Sequence, residues 1–351
     1  MRQHGRHSWG EGERPGGVTM GEAVKVLVTG ANGFVGSRLA QYLLGQGCAV
    51  RGMVRPGSDR SLMEGLTCEI VEGDVRDRES LDRAVAGCEK VFHIAALFRK
   101  TAFGEDIFKE VNVRGVDNVL DAAAAAGVGH VVHCSTIGVL GSIKPNVLAD
   151  ERTPYAPSDA YQRSKMEGEQ LALKRAKEKF EPITVIRPAM IYGPGDLRWL
   201  KLFRGIARRQ FVMIGSGRTL CHYIYIDDLV RAFWLAAQAG PKGYGQVYTI
   251  AGDGPYSLNK AFGEIADAIG KPLWPVKIPV APVYYAGALC EAICHPFGIE
   301  PPLYRRRVGM FTHNRSFNCQ KAQKEIGFTP EVPWRDGVRR TLAWYREKGL
   351  L

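Results

Sequence analysis

The chain has 351 residues, of which 45% are hydrophobic and 24% are charged, and these proportions exclude wholesale disorder. Its length allows about two domains or one large domain with an appended lobe, and no apolar run approaches the roughly 18 residues of a membrane-spanning helix. Much of the net charge of +11 lies in residues 301–351, which hold eleven Lys and Arg but four Asp and Glu.

The first predicted segment is a disordered leader at residues 1–20, which is polar and lacks the apolar part of a secretory signal. Met1 and Met20 remain alternative natural starts. From Val24 the pattern changes, because the apolar run 24–28 predicts a short buried strand of a parallel sheet. A glycine-rich turn follows, and then a helix that begins near Phe34.

Strands and helices alternate from this point to Pro188. We predict further strands at 49–54, 68–74, 90–96, 130–136 and 183–188, and long helices near 105–126 and 158–179. This alternation predicts an α/β fold, a Rossmann-type doubly wound parallel sheet with helices on both faces. We therefore assign residues 21–188 to a dinucleotide-binding domain.

After Pro188 the predicted elements become shorter. They indicate a smaller substrate-binding lobe at residues 189–351, some of whose strands and helices return to the first domain. Within this lobe, residues 279–307 are apolar and aromatic and end in three arginines, Arg305, Arg306 and Arg307. Such a segment can line an apolar pocket, pack as a core helix, or contact a membrane surface peripherally. The arginines are either solvated or placed to hold a substrate carboxylate.

The basic excess has several explanations. Basic surfaces attract phosphates, but no nucleic-acid module is recognisable, so we expect no nucleic-acid partner. A solvated face, an anionic substrate, cofactor phosphates or a membrane surface would each account for the charge. The eight cysteines form no CxxC pair and lack zinc-ligand spacing, which predicts free thiols, no metal site and a cytoplasmic location.

The motif TGANGFVG, from Thr29 to Gly36, lies between the first strand and the first helix. Gly30 permits the tight turn, Gly33 lets backbone amides approach a pyrophosphate, and Gly36 lets the helix pack closely on the strand. The helix N-terminus then offers free N–H groups and a favourable dipole to an anion. Because the motif stands between a strand and a helix, it predicts a dinucleotide site.

The residue after the second strand reads the adenosine ribose in such sites, and NAD-binding proteins usually carry Asp or Glu there. This chain has Arg55, with Arg51 and Arg60 close by. A guanidinium suits a 2′-phosphate, so we expect NADP(H), with NAD(H) as the alternative. Arg55 can equally stack on adenine, and Asp74, after the third strand, is placed to accept a hydrogen bond from the adenine amino group.

Three residues form the candidate catalytic group: Thr136, Tyr161 and Lys165. Tyr161 and Lys165 are four residues apart on a predicted helix, so their side chains share one face. An ammonium beside a phenol favours the phenolate, which makes tyrosine usable as an acid or base near neutral pH. Thr136, at the end of the fifth strand, can hydrogen-bond the reacting oxygen.

Taken together, these motifs resemble the extended short-chain dehydrogenases/reductases of the NAD-dependent epimerase/dehydratase and 3β-hydroxysteroid dehydrogenase group. The resemblance covers residues 24–350. It rests on TGANGFVG, EGDV (72–75), HIAA (93–96), NVRGVDNVL (112–120), STIGVLG (135–141), YQRSK (161–165), RPAMIYGPGD (187–196) and YIDD (225–228).

The resemblance implies that Tyr161 is the catalytic acid/base, that Lys165 grips the nicotinamide ribose, and that Thr136, five residues before Gly141, binds the substrate oxygen. It also implies a dimer through the helices near 105–126 and 158–179. Together with the glycine motif, it predicts these cofactor-binding residues: Gly30, Asn32, Gly33, Phe34, Val35, Gly36, Arg55, Asp74, Val75, Ala95, Ala96, Tyr161, Lys165 and Pro188.

One departure bears on the substrate. Nucleotide-sugar members resemble this chain at residues 215–229 but usually carry Arg-Asp where it has Cys221 and His222. That arginine pairs with the sugar-nucleotide pyrophosphate, so its replacement disfavours a sugar nucleotide.

Three functions are therefore open. The first is hydride transfer on a bulky apolar alcohol or ketone, such as a 3-hydroxysteroid, a 4-carboxysterol or another lipid-like carbonyl. Oxidation of a carboxysterol would give a β-keto acid that can lose CO₂. The second is a nucleotide-sugar epimerase or dehydratase that retains NAD. The third is a non-catalytic cofactor sensor, which the complete set of Thr136, Tyr161 and Lys165 disfavours.

Overall fold

The computed structural model describes residues 23–98, 105–294 and 305–351, so the predicted leader at 1–20 lies outside the described residues. The strands are β1 (Lys25–Thr29), β2 (Ala49–Val54), β3 (Glu69–Glu72), β4 (Lys90–His93), β5 (His130–Cys134), β6 (Ile183–Pro188), β7 (Met190–Tyr192), β8 (Met213–Ile214), β9 (Leu220–Tyr225), β10 (Val247–Ile250), β11 (Pro255–Ser257) and β12 (Lys277–Ile278). The helices are α1 (Phe34–Gly45), α2 (Arg78–Val85), α3 (Asp106–Lys109), α4 (Gly115–Ala125), α5 (Ala160–Glu178), α6 (Leu200–Ala207), α7 (Ile226–Gln238), α8 (Leu258–Ile269), α9 (Val280–Cys294), α10 (Arg305–Thr312), α11 (Gln320–Ile326) and α12 (Trp334–Glu347).

Seven of these strands form one parallel sheet in the order β10-β6-β5-β4-β1-β2-β3. Helices α1 and α7 pack on one face of this sheet, and α2, α4 and α5 pack on the other. Because helices cover both faces of the sheet, side chains on both faces of its strands are buried. This explains why the strand sequences are apolar. The predicted doubly wound Rossmann fold is thus confirmed.

The strand order reverses between β1 and β4. In open α/β sheets, the carboxyl ends of the strands on either side of such a reversal enclose a crevice where ligands bind. Here the glycine motif follows β1, the HIAA motif begins in β4, and Thr136 follows β5.

The second half of the chain builds two small sheets, β11-β9-β7 and β12-β8. Trp334 of α12 anchors the first of these, since its ring stacks on Tyr223 of β9 with ring centroids 4.1 Å apart. Residues beyond 188 also return to the central sheet, where β10 pairs with β6. Among the helices of the described residues, none has the length and apolar character needed to cross a membrane.

The helix predicted at 105–126 is interrupted in the structure. A π-helical turn, Glu110–Arg114, separates α3 from α4, and such turns often occur near functional sites. Gly168 of α5 packs on this turn so closely that a Cβ there would lie 2.2 Å from the carbonyl oxygen of Asn112. The missing side chain at position 168 therefore sets how closely α5 approaches α4.

We expect Gly168→Ala to force α4 and α5 apart and to lower the free energy of unfolding by about 2 kcal/mol, a typical cost of overpacking. Gly263→Ala is the matched control. A Cβ at Gly263, within α8, meets no heavy atom within 4 Å. The control should gain about 0.5–1 kcal/mol from helix propensity. Urea unfolding measures both, and equal stability of the two variants would show that the contact at Gly168 does not limit the packing.

Candidate active site

The glycine motif forms a compact turn at the carboxyl end of β1. Gly30 has a positive φ of 67°, and its N–H donates to the carbonyl of Met53 at 3.0 Å. A Cβ on Gly30 would lie 2.9 Å from Cα of Ala95, and a Cβ on Gly36 would lie 2.1 Å from the carbonyl oxygen of Gly30. Both positions therefore require glycine, Gly30 for its φ and Gly36 for its close approach.

Helix α1 begins directly after Gly33, which is exposed. No side chain caps this N-terminus and its first turn contains no acidic residue. The first N–H groups of α1, from Phe34 and Val35 onward, thus have no capping group of their own and suit a pyrophosphate oxygen. The chemistry of these donors fits a dinucleotide cofactor.

The loop after β4 is attached to this turn by Thr29. Its hydroxyl oxygen accepts hydrogen bonds from the N–H groups of Ile94 and Ala95, both at 3.1 Å, and contacts Nδ1 of His93 at 2.8 Å. Burial lowers the pKa of His93 to about 3, so its ring is neutral at pH 7. Ala95 and the exposed Ala96 therefore lie at the rim beside the glycine turn, where the resemblance puts the cofactor.

The three arginines predicted near the adenosine have different surroundings. Arg51 is buried in β2, pairs with Glu69 at 2.8 Å, and donates to carbonyls at the end of α2, so it does not point toward the ribose. Arg60 pairs with Glu72. Arg55 is exposed and forms no ion pair with any of the described residues, which leaves its guanidinium available.

Asp74 lies across from Arg55 and is already engaged. Arg76 donates to both of its carboxylate oxygens, at 3.0 and 2.7 Å. These bonds, and to a lesser degree the charge of Arg55, lower the pKa of Asp74, so the carboxylate is ionised at neutral pH. Val75 is buried against Gly115 of α4, and Asn118 donates to its carbonyl at 3.0 Å. The other predicted cofactor residues, Asn32 and Pro188, lie in the glycine turn and at the end of β6.

Lys165 and Tyr161 project from the first turns of α5. Lys165 is almost fully buried, and its Nζ donates to the carbonyl of Cys134 at 2.6 Å. Burial lowers the pKa of Lys165. Tyr161 is half-buried, with its ring edge-on to Phe98 at 5.1 Å between centroids. The helix thus anchors its lysine at the end of β5 while the tyrosine faces the cleft.

The structure distinguishes the two hydroxyls that follow β5. Ser135 is buried, and its hydroxyl donates to Glu169. Thr136 is half-buried, and its hydroxyl oxygen accepts a bond from the N–H of Gly138 at 3.1 Å. The Thr136 hydroxyl proton is not used in that bond, so it can be donated to a bound oxygen.

Sequence reasoning missed the buried group beneath these residues. Glu169 is fully buried one turn after Lys165 and accepts hydrogen bonds from Arg187 of β6, from Tyr155 at 2.7 Å and from Ser135. Burial and the Glu169 carboxylate raise the pKa of Tyr155 to about 12, which keeps this phenol a donor. Only the pairing of α5 with β6 brings these residues together, and no local motif signals it.

Asn112 is a second residue that the sequence did not single out. Its side chain lies at the π-helical turn, accepts from the N–H of Leu97 at 2.8 Å, and donates to the hydroxyl of Ser164 at 2.9 Å. It therefore joins the loop after β4 to the helix of Tyr161. The motif NVRGVDNVL marks this segment in the sequence, but nothing in the motif shows that the helix is interrupted or that Asn112 points inward.

Arg198 is the third residue that the sequence did not single out. Its guanidinium lies 5.5 Å from the ring centroid of Phe34 and 6.0 Å from that of Phe98, and Asp196 orients it through bonds of 2.8 and 2.7 Å. The segment after β7 thus closes over the start of α1 and reaches the ring of Phe98, which in turn contacts Tyr161. Within residues 23–98, 105–294 and 305–351, no three or more His, Cys, Asp or Glu side chains are grouped so that they could hold a metal ion.

The structure also modifies the argument from Cys221. Cys221 is fully buried in β9, and Nη1 of Arg315 lies 4.0 Å from its sulfur. Arg315 comes from the segment after α10, which follows β9 by many residues in sequence. A guanidinium is therefore present beside position 221 even though the residue itself is cysteine.

Comparison with known proteins decides the family. Residues 26–251 match the NAD dependent epimerase/dehydratase family. The chain belongs to this family. It is an NAD(P)-dependent enzyme of the extended short-chain dehydrogenase/reductase type, as the motifs predicted.

Individual relatives have different activities. The chain is 29% identical over 90% of its length to a 4-hydroxy-2-methyl-3-oxo-4-farnesyl-3,4-dihydroquinoline-1-oxide ketoreductase of Stigmatella aurantiaca, 95% of which is covered. It is 30% identical over 78% of its length to a 3beta-hydroxysteroid-dehydrogenase/decarboxylase of Arabidopsis thaliana, 66% of which is covered. A solved dTDP-glucose 4,6-dehydratase of Streptomyces venezuelae with NAD bound is 25% identical, with a TM-score of 0.74 and coverage of 92% of this chain and 97% of that one.

The two hydroxyls after β5 can be separated by substitution. We expect Ser135→Ala to lower the free energy of unfolding by about 1–3 kcal/mol, because buried Glu169 loses a donor, with kcat within a few-fold of the parent. Thr136→Ala should lower the stability by about 1 kcal/mol, because the bond from the Gly138 N–H is lost, and should lower kcat by roughly a hundredfold, because a donor to the reacting oxygen is lost. Thr136→Ser is the conservative control and should restore turnover. A larger loss of kcat in Ser135→Ala than in Thr136→Ala would reverse the two roles.

Proposed function

We propose that this enzyme transfers a hydride to or from a secondary alcohol or ketone carbon of a bulky apolar substrate. Candidate substrates are 3-hydroxysteroids, 4-carboxysterols and other lipid-like carbonyl compounds. The observation that carries the proposal is the placement of Tyr161 and Lys165 on one helix, with Lys165 anchored at Cys134 immediately before Ser135 and Thr136. The relatives support it, because a ketoreductase and a hydroxysteroid dehydrogenase/decarboxylase align with the chain.

The residues of the chain account for the proton chemistry. A bound nicotinamide cofactor supplies or accepts the hydride at the reacting carbon. In the reductive direction, Tyr161 gives its phenolic proton to the substrate oxygen, and Thr136 orients that oxygen by donating a hydrogen bond. The ammonium of Lys165 stabilises the phenolate that remains. In oxidation the same groups act in reverse, so Tyr161 accepts the hydroxyl proton.

The substrate side of the proposal depends on the second lobe. Part of the predicted arginine cluster is already used, because Arg305 pairs with Glu291 at 2.7 Å. This pairing disfavours Arg305 as a carboxylate-binding residue, although a carboxysterol remains a substrate candidate. The eight cysteines are free thiols, which agrees with our proposal that the enzyme works in the cytoplasm.

A nucleotide-sugar epimerase or dehydratase is the second candidate. The observation that favours it is Arg315, which approaches Cys221 where related sugar-nucleotide enzymes carry an arginine. The dTDP-glucose 4,6-dehydratase that the chain resembles was solved with NAD bound. Such enzymes regenerate their cofactor in each cycle, so the two candidates differ in the fate of the cofactor.

The deciding experiment follows the cofactor. We expect the purified protein to exchange added nucleotide freely and to consume NADPH or NADH in proportion to ketone reduced. Tyr161→Phe should lower kcat by at least roughly a hundredfold, since the proton donor is lost while cofactor binding persists. NAD that survives purification, with sugar-nucleotide conversion and no net consumption of cofactor, would replace this proposal by the second candidate.

We further propose that Arg55 selects NADP(H). Arg55 is exposed and has no ion pair among the residues described. It also lies near Asp74, which we expect to bind the adenine amino group of the same nucleotide. Arg55→Asp should weaken NADPH binding by tenfold or more, about 1.4 kcal/mol, and should improve NADH binding relative to it. Arg60→Gln is the matched control, because Arg60 already pairs with Glu72. Fluorescence titration of both nucleotides measures the ratio. An unchanged ratio in Arg55→Asp would exclude phosphate recognition by this arginine.

A further inference from the structure

The second lobe exposes a long apolar surface. Residues 272–294 contain two charged residues, Lys277 and Glu291. The side chains that we call the apolar face lie on β12, the segment before it, and α9. They are Trp274, Val276, Ile278, Tyr284, Tyr285, Leu289 and Ile293, with exposures from 38% for Ile278 to 70% for Tyr285.

Helix α9 shows why this surface is unusual. Of its 15 residues only Gly287 is buried, although its sequence, VAPVYYAGALCEAIC, is apolar on nearly every side. A helix that is apolar all round is ordinarily covered by protein or by lipid. Contiguous apolar surface of this kind marks an interaction site.

The charge next to this surface indicates what covers it. Residues 197–226 hold six Lys and Arg and no Asp or Glu. Strand β8 lies within this stretch and pairs in parallel with β12, so the segments before the two strands emerge at the same end. Those segments contain Arg208, Arg209 and Lys271, all exposed and without an ion pair to any residue that the structure describes. A basic rim therefore borders the apolar face.

We propose that the apolar face docks on the headgroup region of an anionic lipid membrane. Interfacial binding combines buried apolar groups with attraction of Lys and Arg to anionic lipids, and both are present here. Trp274, Tyr284 and Tyr285 are suited to this depth, because each has an apolar ring and a polar group. A second copy of the chain fits less well, because it would bring an identical basic rim and a net charge of +11 against the first.

Docking would also serve the proposed reaction. An apolar substrate partitions into lipid, so an enzyme held at the surface meets a higher local concentration than one in solution. This advantage rests on the proposed function, whereas the docking itself does not.

Vesicle co-sedimentation tests the docking. The full chain should bind vesicles of phosphatidylcholine mixed with phosphatidylglycerol, bind phosphatidylcholine alone more weakly, and dissociate as ionic strength rises. The double variant Leu289→Ser and Ile293→Ser should lower the partition coefficient between vesicles and solution by about tenfold or more, because two apolar side chains no longer enter the lipid headgroup region. Arg208→Gln with Lys271→Gln should lower it by about twenty-fivefold, at about fivefold per charge.

Two control variants match these changes. Phe180→Asn removes an apolar side chain that is 88% exposed just after α5, outside the apolar face. Lys242→Gln with Lys324→Gln removes two exposed charges near the β10 edge of the central sheet. Both controls should bind the mixed vesicles like the parent.

Other outcomes would overturn the proposal. Failure of the parent chain to bind mixed vesicles would do so, as would equal binding by the apolar-face variants. Self-association that Leu289→Ser and Ile293→Ser abolish, without vesicle binding, would assign the face to a second copy. Reduction of a water-soluble ketone, measured on the same variants, should be unchanged. That assay fails if the proposed function is wrong, whereas vesicle binding does not depend on it.

Discussion

The buried ion pair between Glu169 and Arg187 is the interaction on which the candidate site depends. Their side chains are 0% and 2% exposed, and together they join α5 to β6. Each member of this hydrogen-bonded cluster lies next to a predicted site residue in the sequence. Glu169 follows Lys165 by one helical turn, Arg187 immediately precedes Pro188, and Ser135 precedes Thr136. One cluster of hydrogen bonds therefore positions three residues of the candidate site. Removing one partner of such a pair leaves an uncompensated buried charge, which commonly costs about 3–5 kcal/mol. We infer that this pair serves the geometry of the site more than the net stability.

A second constraint acts from the other face of α5. Gly168 permits contact with the carbonyl of Asn112, and the Asn112 side chain bonds Leu97 and Ser164. The helix of Tyr161 is therefore held on one side by a charge pair and on the other by a backbone contact. Because both attachments are buried, contacts within the chain itself hold α5 in place, which is the preorganisation that the proposed proton transfer requires.

Much of the fold was predictable because its signals are local. The parallel strands are apolar runs, and the predicted strands at 49–54 and 183–188 coincide with β2 and β6. The glycine motif predicted the turn between β1 and α1 for the same reason. The π-helical turn at Glu110–Arg114 was not predictable, because the sequence there has ordinary helical periodicity and the helix that contacts the turn, α5, is distant in sequence. Arg51 illustrates a related error, since nearness in sequence to Arg55 did not reveal that its side chain runs beneath α2.

The residues that the sequence did not reveal are those joined across long separations. Arg198 reaches the ring of Phe34, and Arg315 reaches Cys221 from the segment between α10 and α11. Both cations come from the second half of the chain, and Arg198 lies beside the start of α1, where the glycine motif ends. Both proposed reactions would use Tyr161 and Lys165, so groups of the second half of the chain, rather than this pair, must distinguish them. Docking of the apolar face, as proposed above, would favour a lipid-like substrate, because such a substrate partitions into the membrane that would hold the enzyme.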